Sequence, residues 1–223
     1  MTGAKRLTLT FDNGPDPTVT PRVLDTLARH EIKTTFFVCG NHGGRAVQRE
    51  ILVRAKAEGH RVGNHTLTHT VEFGRATDPA LPGREIGEAQ EILADFVDAD
   101  RLFRPYGGGG VLGPALLSPD AVEFLCRGGY TCVLWNSVPR DWELVHEWPE
   151  RALADIQAQD WTVVVLHDIR TGAMDQLPRF LDAVRAANVE IVPEFPDACV
   201  PIFRGEKRAG LSAYVGTAGA VPD

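Results

Sequence analysis

Five ionisable side chains follow short apolar runs along the chain, and their types could together carry out hydrolysis. They are Asp12, His65, His69, Asp141 and His167. The two histidines at 65 and 69 are four residues apart, so on one turn of helix they would share a face and could bind one metal ion. A carboxylate can accept a proton from an activated water, and an imidazole charged by a neighbouring acid can donate one to a leaving amine.

Each of these residues also has a simpler explanation when it is taken alone. Asp12 lies in FDNGP, which is good turn chemistry, and an HxxxH pair is often a surface or capping pair. His167 could be a buried histidine with satisfied hydrogen bonds. The catalytic interpretation therefore depends on all five residues coming together in space.

The segments that must position these residues alternate between strand-like and helix-like patterns. Strands are predicted at 7–11, 33–39, 60–64, 102–104, 131–135, 162–166 and 189–192, and helices at 21–30, 47–58, 83–97, 120–127, 150–158 and 177–187. Strands separated by helices imply a parallel α/β sheet with crossovers. At this length an incomplete (β/α) barrel and an open doubly wound sheet both fit. In either fold the strand ends open on one face, where the five residues can meet.

Composition limits the classes of partner and compartment. The 223 residues suit one domain, and the net charge of −7 argues against nucleic acid or an anionic membrane as a partner. We expect a cytoplasmic protein, because the start MTGAKRLTLTFD has no apolar signal region. The four cysteines form no CxxC pair, so neither a zinc knuckle nor a structural disulfide is expected. Residues 1–203 are predicted to form the catalytic domain and residues 204–223 a loosely ordered tail. Oligomeric state is not readable.

Five ordered segments resemble the motifs of the polysaccharide deacetylases, which are carbohydrate esterase family 4 or NodB-homology domains. The segments are TFDNGP (10–15), HTLTH (65–69), RPYG (104–107), RDW (140–142) and LHD (166–168). The resemblance implies a distorted, incomplete (β/α) barrel with about seven strands. It also implies a metal-dependent hydrolase that removes N-acetyl groups from an amino sugar or a short chitin-like oligosaccharide.

The same resemblance implies a role for each motif residue. Asp12 would be the general base, His167 the general acid tuned by Asp141, and Tyr106 the backbone donor to an oxyanion. The implied cofactor is a divalent metal ion, with zinc the first choice, held by His65, His69 and Asn13. The implied substrate-contacting residues are Trp142, Leu166, Arg104 and Gly107. Thr66 would lie behind the two histidines.

Three positions depart from the family pattern and leave alternatives open. Asn13 stands where the family usually has a second aspartate that binds the metal, so the site has one negative charge fewer. Phe103 stands where an arginine usually steadies the base, with Arg104 one residue later, and Val138 replaces a further acid. The alternative functions are hydrolysis of another small-molecule amide or an O-acetyl ester, or glycan binding by a protein that has lost catalysis.

Overall fold

Nine strands form one curled sheet within residues 5–216, the part of the chain that this computed structural model describes. The strands are β1 (Arg6–Asp12), β2 (Thr35–Val38), β3 (Arg61–Asn64), β4 (Leu102–Phe103), β5 (Thr131–Cys132), β6 (Trp161–His167), β7 (Glu190–Ile191), β8 (Ile202–Phe203) and β9 (Glu206–Lys207). Their order is β6-β1-β2-β3-β4-β5-β8-β9, with β7 beside β1. Strands β1 to β7 pair in parallel, and β8 and β9 pair antiparallel.

The sheet is an incomplete barrel, which confirms the predicted fold class. After β5 the chain approaches β6 through one isolated bridge, between Ser137 and Val164, instead of a ladder. All seven predicted strands are present, although β4, β5 and β7 are only two residues long. The parallel strand ends therefore open on one side, as a catalytic site of this kind requires.

Seven α-helices connect the strands within the described residues. They are α1 (Thr20–Arg29), α2 (Gly40–Gly43), α3 (Ala46–Ala57), α4 (Ala89–Ile92), α5 (Pro119–Arg127), α6 (Trp148–Ala158) and α7 (Leu177–Ala186). The helix predicted over 83–97 differs in kind, because residues 83–88 form a π-helical turn and α4 ends at Ile92. None of the helices is long and apolar enough to cross a membrane.

Strict alternation along β1 and β6 decides which side chains face the site. On β1, Leu7, Leu9 and Phe11 pack against the surrounding helices, so Thr10 and Asp12 face the interior of the barrel. On β6, Val164 and Leu166 also face the helices. Val163 and Val165 belong to the interior apolar cluster, and His167 continues on their face.

The segment after residue 203 is not loosely ordered as far as residue 216, so the predicted tail is wrong over 204–216. Strands β8 and β9 form a hairpin, and a short 3₁₀ helix spans Leu211–Tyr214. Leu211 is buried in the interior apolar cluster, and Gly216 N–H donates to the carbonyl of Leu117 at 2.8 Å. Ile202 and Leu211 both pack into this cluster and so hold the segment against the sheet. Residues 217–223 lie outside the described range.

The four cysteines are free thiols, and three of them are buried. Burial raises the pKa of Cys132 to about 12 and that of Cys199 to about 11. These thiols therefore behave as small apolar side chains in the core.

Removing the Phe11 ring should destabilise the fold by about 3–5 kcal/mol, because large core side chains leave a cavity when truncated. Phe11 is fully buried and stacks on Phe36 with ring centroids 5.3 Å apart. Urea unfolding of Phe11→Ala would measure the loss. The control is Val53→Ala on α3, which is 59% exposed and should change stability by less than about 0.5 kcal/mol. Equal effects of the two substitutions would contradict the assigned core.

Candidate active site

A cavity of about 450 Å³ opens at the carboxyl ends of the central strands. Eight of the predicted site residues line it: Asp12, Asn13, His65, His69, Tyr106, Gly107, Trp142 and His167. Asp141 lies behind His167, and neither Arg104 nor Leu166 lines the cavity. The structure therefore gathers most of the motif residues around one space.

A buried ion pair fixes Asp12 on one wall of this cavity. Arg104 is fully buried, and its Nη1 donates to Asp12 Oδ1 at 2.7 Å and to Thr10 Oγ1 at 2.8 Å. The guanidinium also lies 4.0 Å from the centre of the Phe37 ring. These contacts hold one carboxylate oxygen of Asp12, while Oδ2 lies 3.5 Å from His65 Nε2.

The prediction that Arg104 contacts the substrate is therefore wrong. Its side chain is directed beneath the cavity, where it binds Asp12. The resemblance assigns this stabilising contact to an arginine one residue earlier. Phe103 at that earlier position is instead a fully buried core residue of β4. The family's arginine interaction is thus retained from a neighbouring position.

His65 and His69 provide two neutral imidazoles beside Asp12. His65 Nδ1 lies 2.9 Å from the carbonyl oxygen of Arg104, and since a carbonyl only accepts, Nδ1 carries the proton and Nε2 is left as an acceptor. Burial lowers the pKa of each histidine to about 3. Both are therefore uncharged at neutral pH, which is the form that binds a metal ion.

The two histidines lie on a loop, so the helical turn suggested by their spacing is wrong. Thr66 and His69 have φ values of 65° and 56°, which no helix contains. The loop is held by Thr66 Oγ1, which accepts from His69 N–H at 3.0 Å, and by the buried Glu85, which accepts from Thr68 N–H at 2.9 Å. The rings of His65 and His69 nevertheless lie 4.6 Å apart, centroid to centroid.

Asn13 contributes an amide oxygen without a partner to the cavity that the same histidines line. Its Oδ1 is buried and accepts no hydrogen bond from the described residues, although such orphaned groups are costly. Nowhere in residues 5–216 do three His, Cys, Asp or Glu side chains form a metal-binding group. The donors that fit a divalent ion here are two imidazole nitrogens and the Asn13 oxygen, a set that suits zinc or a similar borderline metal.

His167 lies next to Asp12, as its register partner on the neighbouring strand β6. His167 Nδ1 donates to Asp141 Oδ1 at 2.8 Å, and the His167 N–H donates to Asp141 Oδ2 at the same distance. Burial alone would lower the pKa of His167, but the charge and hydrogen bond of the fully buried Asp141 raise it. Nε2 of this imidazole is left for a ligand, while Trp142 packs edge-on against the ring at 4.9 Å.

The prediction that Leu166 lines the pocket is wrong by one position. It is fully buried on the helix side of β6, whereas Val165 lines the cavity. Alternation from His167 places residue 165, not 166, on the same face. Three other apolar residues of this wall were not predicted from the sequence, namely Trp135, Val138 and Ile169.

A glycine-rich loop closes the side of the cavity near Tyr106. Gly110 has a φ of 76°, and a Cβ there would lie 2.7 Å from Val138. Trp135 Nε1 donates to the Gly110 carbonyl at 2.9 Å, and the ring of Tyr106 lies 4.5 Å from that of His69. The loop is therefore fixed close to the histidines, where only glycine fits.

Asp168 is a buried carboxylate that the sequence analysis did not single out. It accepts a hydrogen bond from the Thr20 hydroxyl, and burial raises its pKa to about 6. A Cβ on Gly14 would lie 2.2 Å from Asp168 Oδ2, so the glycine of FDNGP lets the first loop pack against this carboxylate. Its position directly after His167 in the LHD motif is the sequence feature that could have identified it.

Replacing Asp141 by asparagine should lower the pKa of His167, because the charge that opposes the effect of burial is removed. A titration of the His167 ring followed by NMR would measure the shift. Asp182→Asn removes the same charge from an exposed position on α7 and should leave the titration unchanged. An unshifted His167 in Asp141→Asn would show that another group sets its charge.

Comparisons with known proteins agree with this geometry. A polysaccharide deacetylase family model matches residues 1–111. The chain is 32% identical over 173 residues to the chitooligosaccharide deacetylase of Bradyrhizobium sp. (strain ANU 289), over 75% of this chain and 73% of that protein. It is also 32% identical over 170 residues to a Bacillus cereus peptidoglycan-N-acetylglucosamine deacetylase, over 74% of this chain and 73% of the relative.

A solved structure resembles the fold over most of its length. The peptidoglycan deacetylase PdaC from Bacillus subtilis superposes with a TM-score of 0.67 at 27% identity, covering 86% of this chain and 89% of that one. Matches of this identity and coverage, together with the motif residues around one cavity, establish the relationship. The chain belongs to the polysaccharide deacetylase family.

Proposed function

We propose that this protein is a metal-dependent hydrolase that removes the N-acetyl group from an amino sugar or a short chitin-like oligosaccharide. The observation that carries the proposal is that one cavity is lined by Asp12, by two neutral histidines, and by His167, whose pKa is raised by Asp141. The names of the relatives, chitooligosaccharide deacetylase and peptidoglycan-N-acetylglucosamine deacetylase, support the same reaction and substrate class.

His65, His69 and Asn13 would hold the divalent ion, for which zinc is the first candidate. Members of the family are generally metal-dependent, and the orphaned Asn13 oxygen beside two neutral imidazoles supports such a site in this chain. When bound, the ion supplies a Lewis acid that activates water and polarises a carbonyl.

The chain's own residues would move the protons. Arg104 holds Asp12 Oδ1, so Oδ2 is the oxygen placed to accept a proton from the attacking water. Asp141 raises the pKa of His167 and so favours its charged form, which would donate the Nε2 proton to the nitrogen of the leaving amine. The fully buried Asp141 keeps this imidazole oriented through Nδ1 and stabilises its positive charge.

The apolar wall suits a small acyl group. Trp135, Val138, Val165 and Ile169 line the cavity with Trp142, so a methyl group bound against them would be removed from water. Tyr106 lies on the loop beside His69, where its backbone N–H would donate to the oxygen that becomes negative.

Loss of either proton-transfer group should reduce acetate release by about 10²–10⁴-fold, the usual range for general acid–base groups. The variants are Asp12→Asn and His167→Ala, assayed on N-acetylated and O-acetylated sugars. Asp182→Asn serves as the matched control and should keep native turnover. If either active-site variant retained native turnover, the role assigned to that residue would be wrong. Faster release from the O-acetylated sugars would favour an esterase.

Asn13→Asp should raise metal affinity, because a carboxylate attracts a divalent cation more strongly than an amide oxygen does. At limiting metal the variant should be more active, and at saturating metal the two forms should converge or the native form should lead. Zinc titration with calorimetry and acetate assay would measure both. The control is Asn188→Asp, where the same backbone conformation occurs at φ 58° on an exposed turn. Unchanged affinity in Asn13→Asp would exclude position 13 from the metal site.

A further inference from the structure

A second cavity of about 240 Å³ adjoins the active site. Asn13 and Ile169 line both cavities, so the two spaces meet at the loop that follows β1. His42 lines the second cavity, and its Nδ1 donates to the Asn13 carbonyl at 2.8 Å. This hydrogen bond links the walls of the two cavities. A sugar chain with one residue in the active site could therefore place a neighbouring group in this space.

The amino terminus of α3 forms one side of the second cavity. Arg45 is the N-cap residue and Gln48 the third helical residue, and both line the cavity. No side chain caps this helix, so its first N–H groups keep their partial positive charge. Helix termini of this kind bind anions.

Gln48 gives an independent indication of a ligand. Its side chain is only 7% exposed, yet its amide forms no hydrogen bond with any described residue, and it borders the cavity. Its NH₂ group is therefore free to donate to an oxygen that enters the cavity.

The charges around the cavity favour a negative ligand. Arg45 and Arg170 both line it, and Arg45 forms no ion pair within residues 5–216. Arg170 Nε donates to Asp16 Oδ2 at 2.7 Å. The other oxygen of Asp16 accepts from the N–H groups of Thr18 and Val19, so both oxygens of this carboxylate already have partners. Counting Arg45, Arg170 and Asp16 leaves a charge of about +1, to which the helix terminus adds.

We propose that this second cavity is a subsite for an anionic substituent, a carboxylate or a phosphate, on a sugar next to the one that is deacetylated. Arg45, Gln48 and the amino terminus of α3 would bind the anion, and Arg170 would flank it. The inference deepens the proposed function and rests on it, because it specifies which N-acetylated oligosaccharides the site prefers. Neutral chitin-like chains would lack one set of favourable contacts.

The test compares three N-acetylglucosamine oligosaccharides of equal length, in which the neighbouring sugar is neutral, carries a carboxylate or carries a phosphate. Native protein should hydrolyse at least one anionic substrate with a kcat/KM about 3- to 10-fold above the neutral one, as expected for partly exposed charge-assisted contacts. The advantage should shrink as salt is raised. In Arg45→Gln the ratio of anionic to neutral kcat/KM should fall to about one. Arg127→Gln removes the same charge from the far end of α5, where the side chain is 71% exposed, and should keep the native ratio.

Equal rates on all three substrates, or a preference that survives in Arg45→Gln, would overturn the subsite. A binding measurement separates this failure from failure of the proposed reaction. If no sugar is hydrolysed by the zinc-loaded native protein, NMR titration with inorganic phosphate should still shift the Gln48 side-chain amide in the native protein and in Arg127→Gln, but not in Arg45→Gln. An unshifted Gln48 amide in the native protein would reject the subsite independently of activity.

Discussion

The buried pair between Arg104 and Asp12 is the interaction on which the site depends. Arg104 joins the end of β4 to the end of β1 through its guanidinium, and its backbone carbonyl fixes the tautomer of His65. Removing one partner of such a pair leaves an uncompensated buried charge and costs about 3–5 kcal/mol. One residue therefore holds the proposed base and one proposed metal ligand in the same frame, beneath the cavity and away from water.

The cavity also shifts the pKa values of its histidines in opposite directions. His65 and His69 lose their charge because they are buried beside each other, and their pKa falls to about 3. His167 is equally enclosed but has a buried carboxylate on its Nδ1, so its pKa rises. When their environments push the pKa values of like groups apart, the difference indicates which group binds a metal ion, which accepts a proton and which donates one.

Asn13 is the departure from the family pattern that bears on the proposed metal site. An amide at this position keeps an oxygen donor and the left-handed backbone of the loop, since asparagine tolerates positive φ. It removes one negative charge, which would weaken the binding of a divalent ion but leave a bound ion a stronger Lewis acid. The same residue borders the second cavity, so the loop after β1 would influence both the metal and the neighbouring sugar.

The sequence by itself determined the alternation of strands and helices, the end of the sheet at which the motifs meet, and the identity of Asp12, His65, His69, Asp141 and His167. These follow from local patterns, because apolar periodicity and residue type are properties of short segments. Only the tertiary structure decided that Arg104 is directed beneath the cavity and that residues 204–216 are held on the sheet. Each of these depends on contacts between segments that are far apart in the chain. A one-residue difference along a strand reverses the face of a side chain, and motif spacing does not record that difference.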